Sequence, residues 1–401
     1  MRVSSAIALA ASLLLVVPAT AQVSGSVVRI GVMNDQSGAL SAFSGKGSIE
    51  AARMAVEDFG GKVLGVPVEV ISADHQNKPD IGAATARKWF DVDGVDVLTD
   101  ISNSAVSLAV QDIARSKGKI VFHVGSGSDR LYGADCSETG FVWVYDTYTF
   151  PHSVGKAFSG SSAGTWFFIV PDYAMGKSAE VEATSVVQAA GGKVLGSVRH
   201  PVGTLDFGSY ILQAQRSGAK NILLLSAGHD TAETVKQAAD FGLKDSGQSL
   251  VAYVLYLQTV HSLGLQAAQG MKFVTTFYWD RNDATRAFAR RFKERTGQMP
   301  SQVHAGMYSS TLAYLRAVTA AGTDEGKVVA AKLKELPVDD FFAEGARVRA
   351  DGRLMNDVFL AEVKTPAESK GEWDYFKILD RIKAADVMRP LNAGGCALVE
   401  K

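Results

Sequence analysis

The chain has 401 residues, 41 of them Lys or Arg and 42 Asp or Glu, and 47% of its residues are hydrophobic. That apolar fraction excludes an extensively disordered chain, and a formal net charge of −1 leaves no electrostatic footprint for nucleic acid or an anionic membrane. The length exceeds what one hydrophobic core holds and predicts two domains.

Arg2, the apolar run at 6–17 (AIALAASLLLVV) and Pro18-Ala19-Thr20-Ala21 read as a secretory signal peptide over residues 1–21, cut before Gln22. The run is too short to span a bilayer as a stable helix, and no later segment is long and apolar enough to do so. No cysteine follows the cut, so no lipid anchor is expected. Without Arg2 the exported chain carries 40 basic and 42 acidic residues. Its cysteines are Cys136 and Cys396. In an oxidising compartment so distant a pair reads as a disulfide, with two free thiols as the alternative.

Short β-branched runs then alternate with helical stretches. Strands are expected at 27–33, 68–73, 95–98 and 120–123, with helices at 49–59, 79–90 and 105–116 between them. A second series follows residues 141–145, with strands at 166–170, 194–198, 222–225 and 250–255 and helices at 177–190, 207–216 and 231–241. Each series reads as a parallel sheet covered by helices on both faces. After a run at 273–278, three helices at 283–296, 305–320 and 327–336 come in succession. A hairpin-like stretch turning at Gly352 follows, with strands at 357–363 and 373–378. So helical a section is not expected to build a core of its own.

The informative places are the loops after successive strands, where open α/β sheets bind ligands. Asp35-Gln36-Ser37-Gly38 follows the first strand, with Phe43 in the same loop. Ser102-Asn103-Ser104 follows the third, directly before a helix, and Gly125-Ser126-Gly127-Ser128 follows the fourth. Serine at a helix start beside free amides suits an anion such as a carboxylate, and Ser104 reads equally as that contact or as a plain N-cap. In the second series Tyr173 and Met175 sit in a Pro171-to-Gly176 loop, and Ala227-Gly228-His229-Asp230 ends another strand. Tyr253, Tyr256, Tyr278 and Trp279 cluster near later strand ends, where aromatic rings clamp flat or apolar ligands.

Enzyme signatures are weak. Gly160-Ser161-Ser162-Ala163-Gly164 spells G-x-S-x-G but precedes a strand instead of joining strand to helix, so it reads as a chance match. The seven histidines show no metal-ligand spacing, no phosphate-binding glycine loop occurs, and neither a metal nor another cofactor is expected. His229 beside Asp230 is the one suggestive polar pair, and no nucleophile can be matched to it.

Taken together, IGVMNDQSGALSAFSGKGSIEAARMAVED, SNSAVSLAVQDIA, GSGSDRLYGADCSETGFVWVYDTY, PDYAMGKSAEVEA, LDFGSYILQAQRSGAKNILLLSAG and the closing WDYFKI resemble the leucine-binding-protein family. These are the type I periplasmic binding proteins of branched-chain amino-acid ABC transporters. The resemblance runs over essentially the whole exported chain. It implies an α/β fold of two Rossmann-like lobes with parallel sheets joined by three crossovers. One lobe would comprise residues 27–147 plus 279–355 and the other 148–278 plus 356–401. It also implies a Cys136–Cys396 bridge.

By the same resemblance Ser104, with Asn103 before it, and the Gly125, Ser126, Gly127 and Ser128 loop would hold a ligand carboxylate, with Phe43 as an aromatic neighbour. Tyr173, Met175, Ala227, Gly228, His229 and Asp230 would face them from the other lobe. Leucine binders carry a glutamate for the ligand's ammonium group where an ungapped match places Tyr253, and a buried ammonium without a carboxylate is costly. Either Asp230 takes that role or the ligand has no amine. The subgroup features resemble relatives that bind aromatic carboxylates, which favours an aromatic or apolar acid, with an aliphatic amino acid or amide as the alternative. The expected protein is a periplasmic monomer that closes on its ligand and delivers it to permease subunits served by separate ATPase subunits. A ligand sensor for a signalling partner is the alternative of another class.

Overall fold

The structure is a computed structural model that describes residues 23–157, 164–243 and 246–399. The expected signal peptide and residues 160–163 of the G-x-S-x-G stretch lie outside the described residues.

The first lobe is built from β1 (Val28–Asn34), α1 (Gly45–Phe59), β2 (Lys62–Val63), β3 (Val66–Asp74), α2 (Pro79–Asp91), β4 (Val97–Asp100), α3 (Ser104–Lys117), β5 (Ile120–His123) and β6 (Gly140–Val142). Its sheet runs β2-β3-β1-β4-β5-β6 and is parallel except for the β2–β3 pair. Side chains alternate across the pleat. Ile30, Val32, Val97, Ile120 and Phe122 enter one core, while Met33, Leu98 and Val121 enter another with Trp89 of α2 and Val106 and Val110 of α3. Two buried faces explain why these strands read as unbroken apolar runs.

The second lobe follows with α4 (Thr149–Ala157), β7 (Thr165–Pro171), α5 (Ala174–Ala189), β8 (Lys193–His200), α6 (Gly208–Arg216), β9 (Asn221–Leu224), α7 (His229–Asp240), β10 (Ser249–Ala252), α8 (Leu257–Leu263), α9 (Leu265–Ala268) and β11 (Lys272–Thr275). Its parallel sheet runs β10-β9-β7-β8. Trp166, Phe168 and Val170 of β7 pack with α5, and Phe167 and Ile169 face the opposite side with α6 and α7.

The chain then returns to the first lobe through α10 (Asp283–Thr296), α11 (Gln302–Ala321) and α12 (Gly326–Glu335). These helices pack on α1, β4 and β5, so they finish a core already begun. β12 (Val358–Val363) and β13 (Phe376–Ile382) form an antiparallel sheet with β11, which the Val254–Val274 bridge joins to the β10 edge. The short helix α13 (Ala384–Val387) leads into the tail. The fold is therefore α/β, with two Rossmann-like lobes and three passages of chain between them.

Some elements differ from expectation. The last strand begins at Phe376, not Trp373, because Trp373 has φ of 72° and its carbonyl accepts from Trp279 Nε1 instead of a ladder partner. Helices α4 and α8, with nine and seven residues, were too short to announce themselves by periodicity. Cys136 and Cys396 form a disulfide with their Cα atoms 5.5 Å apart.

Two of the three passages meet at a buried ion pair. Arg353 and Asp146 are both 0% exposed, with Arg353 Nε 2.7 Å from Asp146 Oδ2. The guanidinium also donates to the carbonyls of Val142, Trp143 and Leu354. Asp146 accepts from Tyr132 Oη, the Tyr148 and Thr149 amides and Thr149 Oγ1. Burial alone would raise the Asp146 pKa, but Arg353 and the Thr149 donors outweigh it and hold the carboxyl below its usual range. Asp146→Asn, which strands Arg353, should cost about 3–5 kcal/mol in urea unfolding. Pairing it with Arg353→Met should recover part of that loss; a double variant no more stable than Asp146→Asn would sink the electrostatic account.

Candidate binding cleft

Three loop ends of the first sheet are tied together before any ligand is considered. The Asp35 carboxylate accepts from the Gly38 and Leu40 amides at 2.7 and 2.9 Å and from Asn77 Nδ2 at 2.6 Å. The Asp35 amide donates to Ser102 Oγ at 3.0 Å. His75 Nδ1 accepts the Asn77 amide, which places the ring proton on Nε2, 3.4 Å from Ser102 Oγ. Burial pushes the His75 pKa down to about 4, so the ring is neutral at pH 7. Asp35, His75 and Ser102 thus form a cluster that sequence spacing did not reveal. The imidazole turns an N–H toward the hydroxyl, which is not the geometry of a base drawing a proton from serine. The cluster fixes loops.

Asp100 fixes a further pair of loops. Both Asp100 and Ile101 have positive φ, 76° and 52°, an unfavourable backbone for these residues that turns the chain sharply into α3. The Asp100 carboxylate accepts from Asn34 Nδ2 and Ser44 Oγ, each at 2.8 Å, and its carbonyl accepts the Val124 and Gly125 amides. A Cβ at Gly125 would stand 2.5 Å from Asp100 Oδ1, so no side chain fits there.

The N-cap of α3 is Asn103, whose Oδ1 accepts the Ala105 and Val106 amides. Ser104 is therefore the first helical residue, not the cap, and its buried hydroxyl accepts the Ser128 amide at 3.2 Å. Ser126 turns away from the cleft, its hydroxyl 2.6 Å from that of Ser107 on α3. Gly127 lies under the Tyr145 ring, and Tyr145 Oη donates to the Gly125 carbonyl at 2.7 Å.

The second lobe meets this edge directly. Ser128 Oγ is 3.1 Å from Ser178 Oγ on α5, and the His229 amide donates to the Ala39 carbonyl at 3.2 Å. The Phe43 ring stacks on Tyr256 with centroids 3.9 Å apart, and Tyr256 stands edge-on to Tyr145. Tyr173 Oη donates to Met175 Sδ at 3.2 Å. The hydroxyls of the buried Tyr145 and Tyr256 face each other. Tyr145 is thus added to the residues that the sequence suggested, beside Tyr256, one of the rings expected near later strand ends. Toward solvent the cleft widens to about 1280 Å³, lined by Ala39, Asn77 and Asn103 of one lobe and Tyr173, Gly203 and His229 of the other.

Two expected contacts are engaged elsewhere. Tyr253 Oη donates to the Asp146 carbonyl at 3.2 Å, which spends its hydroxyl at the passage between lobes. Asp230 does not pair with His229; both of its carboxylate oxygens accept the Gly203 amide, at 3.0 and 3.1 Å. His200 Nδ1 is 3.9 Å from Asp230 but only 2.9 Å from the Pro201 carbonyl.

The sequence profile of the family described as periplasmic binding protein matches residues 27–372. The chain belongs to this family. A periplasmic binding protein from Burkholderia mallei is 41% identical over 94% of this chain and 100% of that one, with a TM-score of 0.91. A branched-chain amino-acid ABC transporter periplasmic ligand-binding protein from Burkholderia xenovorans is 38% identical over 92% of this chain and 99% of that one, with a TM-score of 0.82. The Leu/Ile/Val-binding protein homolog 6 of Brucella melitensis is 27% identical over 230 residues, 56% of this chain and 58% of that relative. The match thus spans little more than half the length of such curated relatives. Family and fold are those of substrate-binding proteins.

In this binding protein, Gly228 stands where the two lobes meet. It has φ of 58°, and a Cβ there would lie 2.8 Å from the Ala39 carbonyl oxygen and 3.1 Å from the Phe43 ring. Gly228→Ala should hold the lobes apart and raise the radius of gyration in small-angle scattering; an unchanged radius would show that the lobes meet elsewhere. Burial pushes Asp230 up to about 7, against the lowering effect of the Gly203 amide. The folded protein thus holds this proton between the ordinary aspartate value of 3.8 and about 7. Stability from this group is complete below pH 3.8 and is lost as pH rises through 7. Asp230→Asn keeps an acceptor for Gly203 without the charge. Relative to the parent it should gain about 3 kcal/mol between pH 5 and pH 8 in denaturant unfolding, whereas a pH-independent difference would mean Asp230 ionises freely.

Proposed function

We propose that this protein captures an aromatic or otherwise apolar carboxylate between its lobes, in the periplasm, and delivers it to the permease of an ABC transporter. The carrying observation is the aromatic cluster of Phe43 stacked on Tyr256 with Tyr145 edge-on to it, where Tyr145 is bonded to the same Gly125-to-Ser128 loop whose Ser128 amide meets the Ser104 hydroxyl. A ligand ring would join this cluster by offset stacking or edge contacts once the lobes part. The carboxylate would displace the Ser104–Ser128 bond and take both donors, beside the positive end of α3.

Position 253, where leucine binders carry an acid, holds a tyrosine already bonded to Asp146, and Asp230 is bonded to Gly203. A ligand ammonium would thus lack a free carboxylate here. The transport role is supported by the Burkholderia xenovorans relative's description. The periplasmic location agrees with the family's description and with the signal peptide read in residues 1–21.

Asp230 favours one competing reading, an aliphatic amino acid whose ammonium ionises that buried carboxyl. A thermal-shift screen of benzoate and hydroxybenzoates against leucine, isoleucine and valine separates the two, because a ligand of the native state raises the melting temperature by mass action. Stabilisation by the aromatic acids alone is expected; stabilisation by leucine alone would overturn the proposal. With benzoate as probe, Ser104→Ala should weaken binding by roughly 1–3 kcal/mol through the lost charge-assisted hydrogen bond. Unchanged affinity in calorimetry would remove Ser104 from the site.

A further inference from the structure

One guanidinium outside the cleft wall is buried where the binding reading does not call for it. Arg389, in the tail after α13, is 8% exposed. Its Nη2 donates to Glu182 Oε1 at 2.9 Å and to Asp129 Oδ2. Its guanidinium carbon lies 4.9 Å from the Tyr148 ring centroid and 5.7 Å from that of Tyr132.

These partners come from different bodies. Asp129 directly follows Ser128, and it is locked to Thr147 by two bonds of 3.0 Å, one from its amide and one to its carboxylate. Glu182 belongs to α5 of the second lobe, one helical turn beyond Ser178, whose hydroxyl meets that of Ser128. The tail that carries Arg389 is tied to both lobes: α13 packs on α4 of the second, whereas Cys396 is bonded to Cys136 and Arg349 Nη1 donates to the Arg389 carbonyl at 2.7 Å. A single cation thus stands between a carboxylate of each lobe.

We infer that Arg389 is a positioning residue of the cleft, clamping the Gly125-to-Ser128 loop against α5 when the lobes meet. It can hold both carboxylates at once only in that arrangement, so it favours the closed form over the open one. Without it, Asp129 and Glu182 face each other as like charges with no guanidinium between them, and their repulsion opposes closure.

The inference rests on the reading that lobe closure encloses the ligand, but its test needs no ligand. Nitroxide labels at Arg87→Cys in α2 and Ala239→Cys in α7, both exposed positions, report the interlobe distance by pulsed electron resonance. The native disulfide is kept intact by working without reductant. Arg389→Gln should move the distance distribution to longer separations, and Arg389→Lys, which keeps the charge, should stay with the parent. Adding Glu182→Gln to Arg389→Gln should draw the distribution back to that of Glu182→Gln alone, because the repulsion is then gone. A distribution unmoved by Arg389→Gln, or a double variant as displaced as the single, would overturn the inference. Should Arg389→Gln not fold, Glu182→Gln alone still decides, since it should give a smaller displacement in the same direction and an unmoved distribution would count against the clamp. Failure here leaves the choice of ligand untouched, whereas an uninformative ligand screen leaves these distances unchanged.

Discussion

The structure depends on a charge pair that water does not reach. Arg353 and Asp146 lie where two of the three interlobe passages run side by side, and neither is exposed. An isolated charge at such depth would cost several kcal/mol. Here the guanidinium donates to three backbone carbonyls beside its carboxylate, and Asp146 gathers donors from Tyr132, Tyr148 and Thr149. The cost is met by geometry that only this crossing of chain provides. The pair ties two of the passages between the lobes to each other.

Tyr253 is tied to that pair. Its ring belongs to the aromatic cluster with Phe150, and its hydroxyl is bonded to the Asp146 carbonyl. A side chain so bonded is not free to turn elsewhere.

Rigidity of the gripping edge has a different origin. Asp35 and Asp100 each collect donors from loops that are distant in sequence, and Asp100 does so with a strained backbone. Strain of this kind persists only where surrounding bonds over-determine it. The Ser104 hydroxyl and the Ser128 amide are therefore held in place by the fold itself. On the other side, the lobes meet through the Phe43–Tyr256 ring stack and through polar contacts such as Ser128 with Ser178 and Ala39 with His229.

Most strands and helices were legible because one local signal specifies them. Unbroken apolar and β-branched runs mark β1, β5 and β7. Residues 141–157 were less legible, since a strand of three residues and a helix of nine lack enough periods to stand out. At the site, the sequence by itself determined which loop ends converge, because strand order in an open α/β fold dictates it. It could not determine what each side chain does there. That Asn103 and not Ser104 caps α3, that Ser126 turns to Ser107, that Tyr253 bonds to the Asp146 carbonyl and that His75 joins Asp35 and Ser102 were decided only by the tertiary structure. The reason is physical: a backbone pattern is set by neighbours within a few residues, whereas the partner of a buried polar group is whichever donor or acceptor folding brings within about 3 Å.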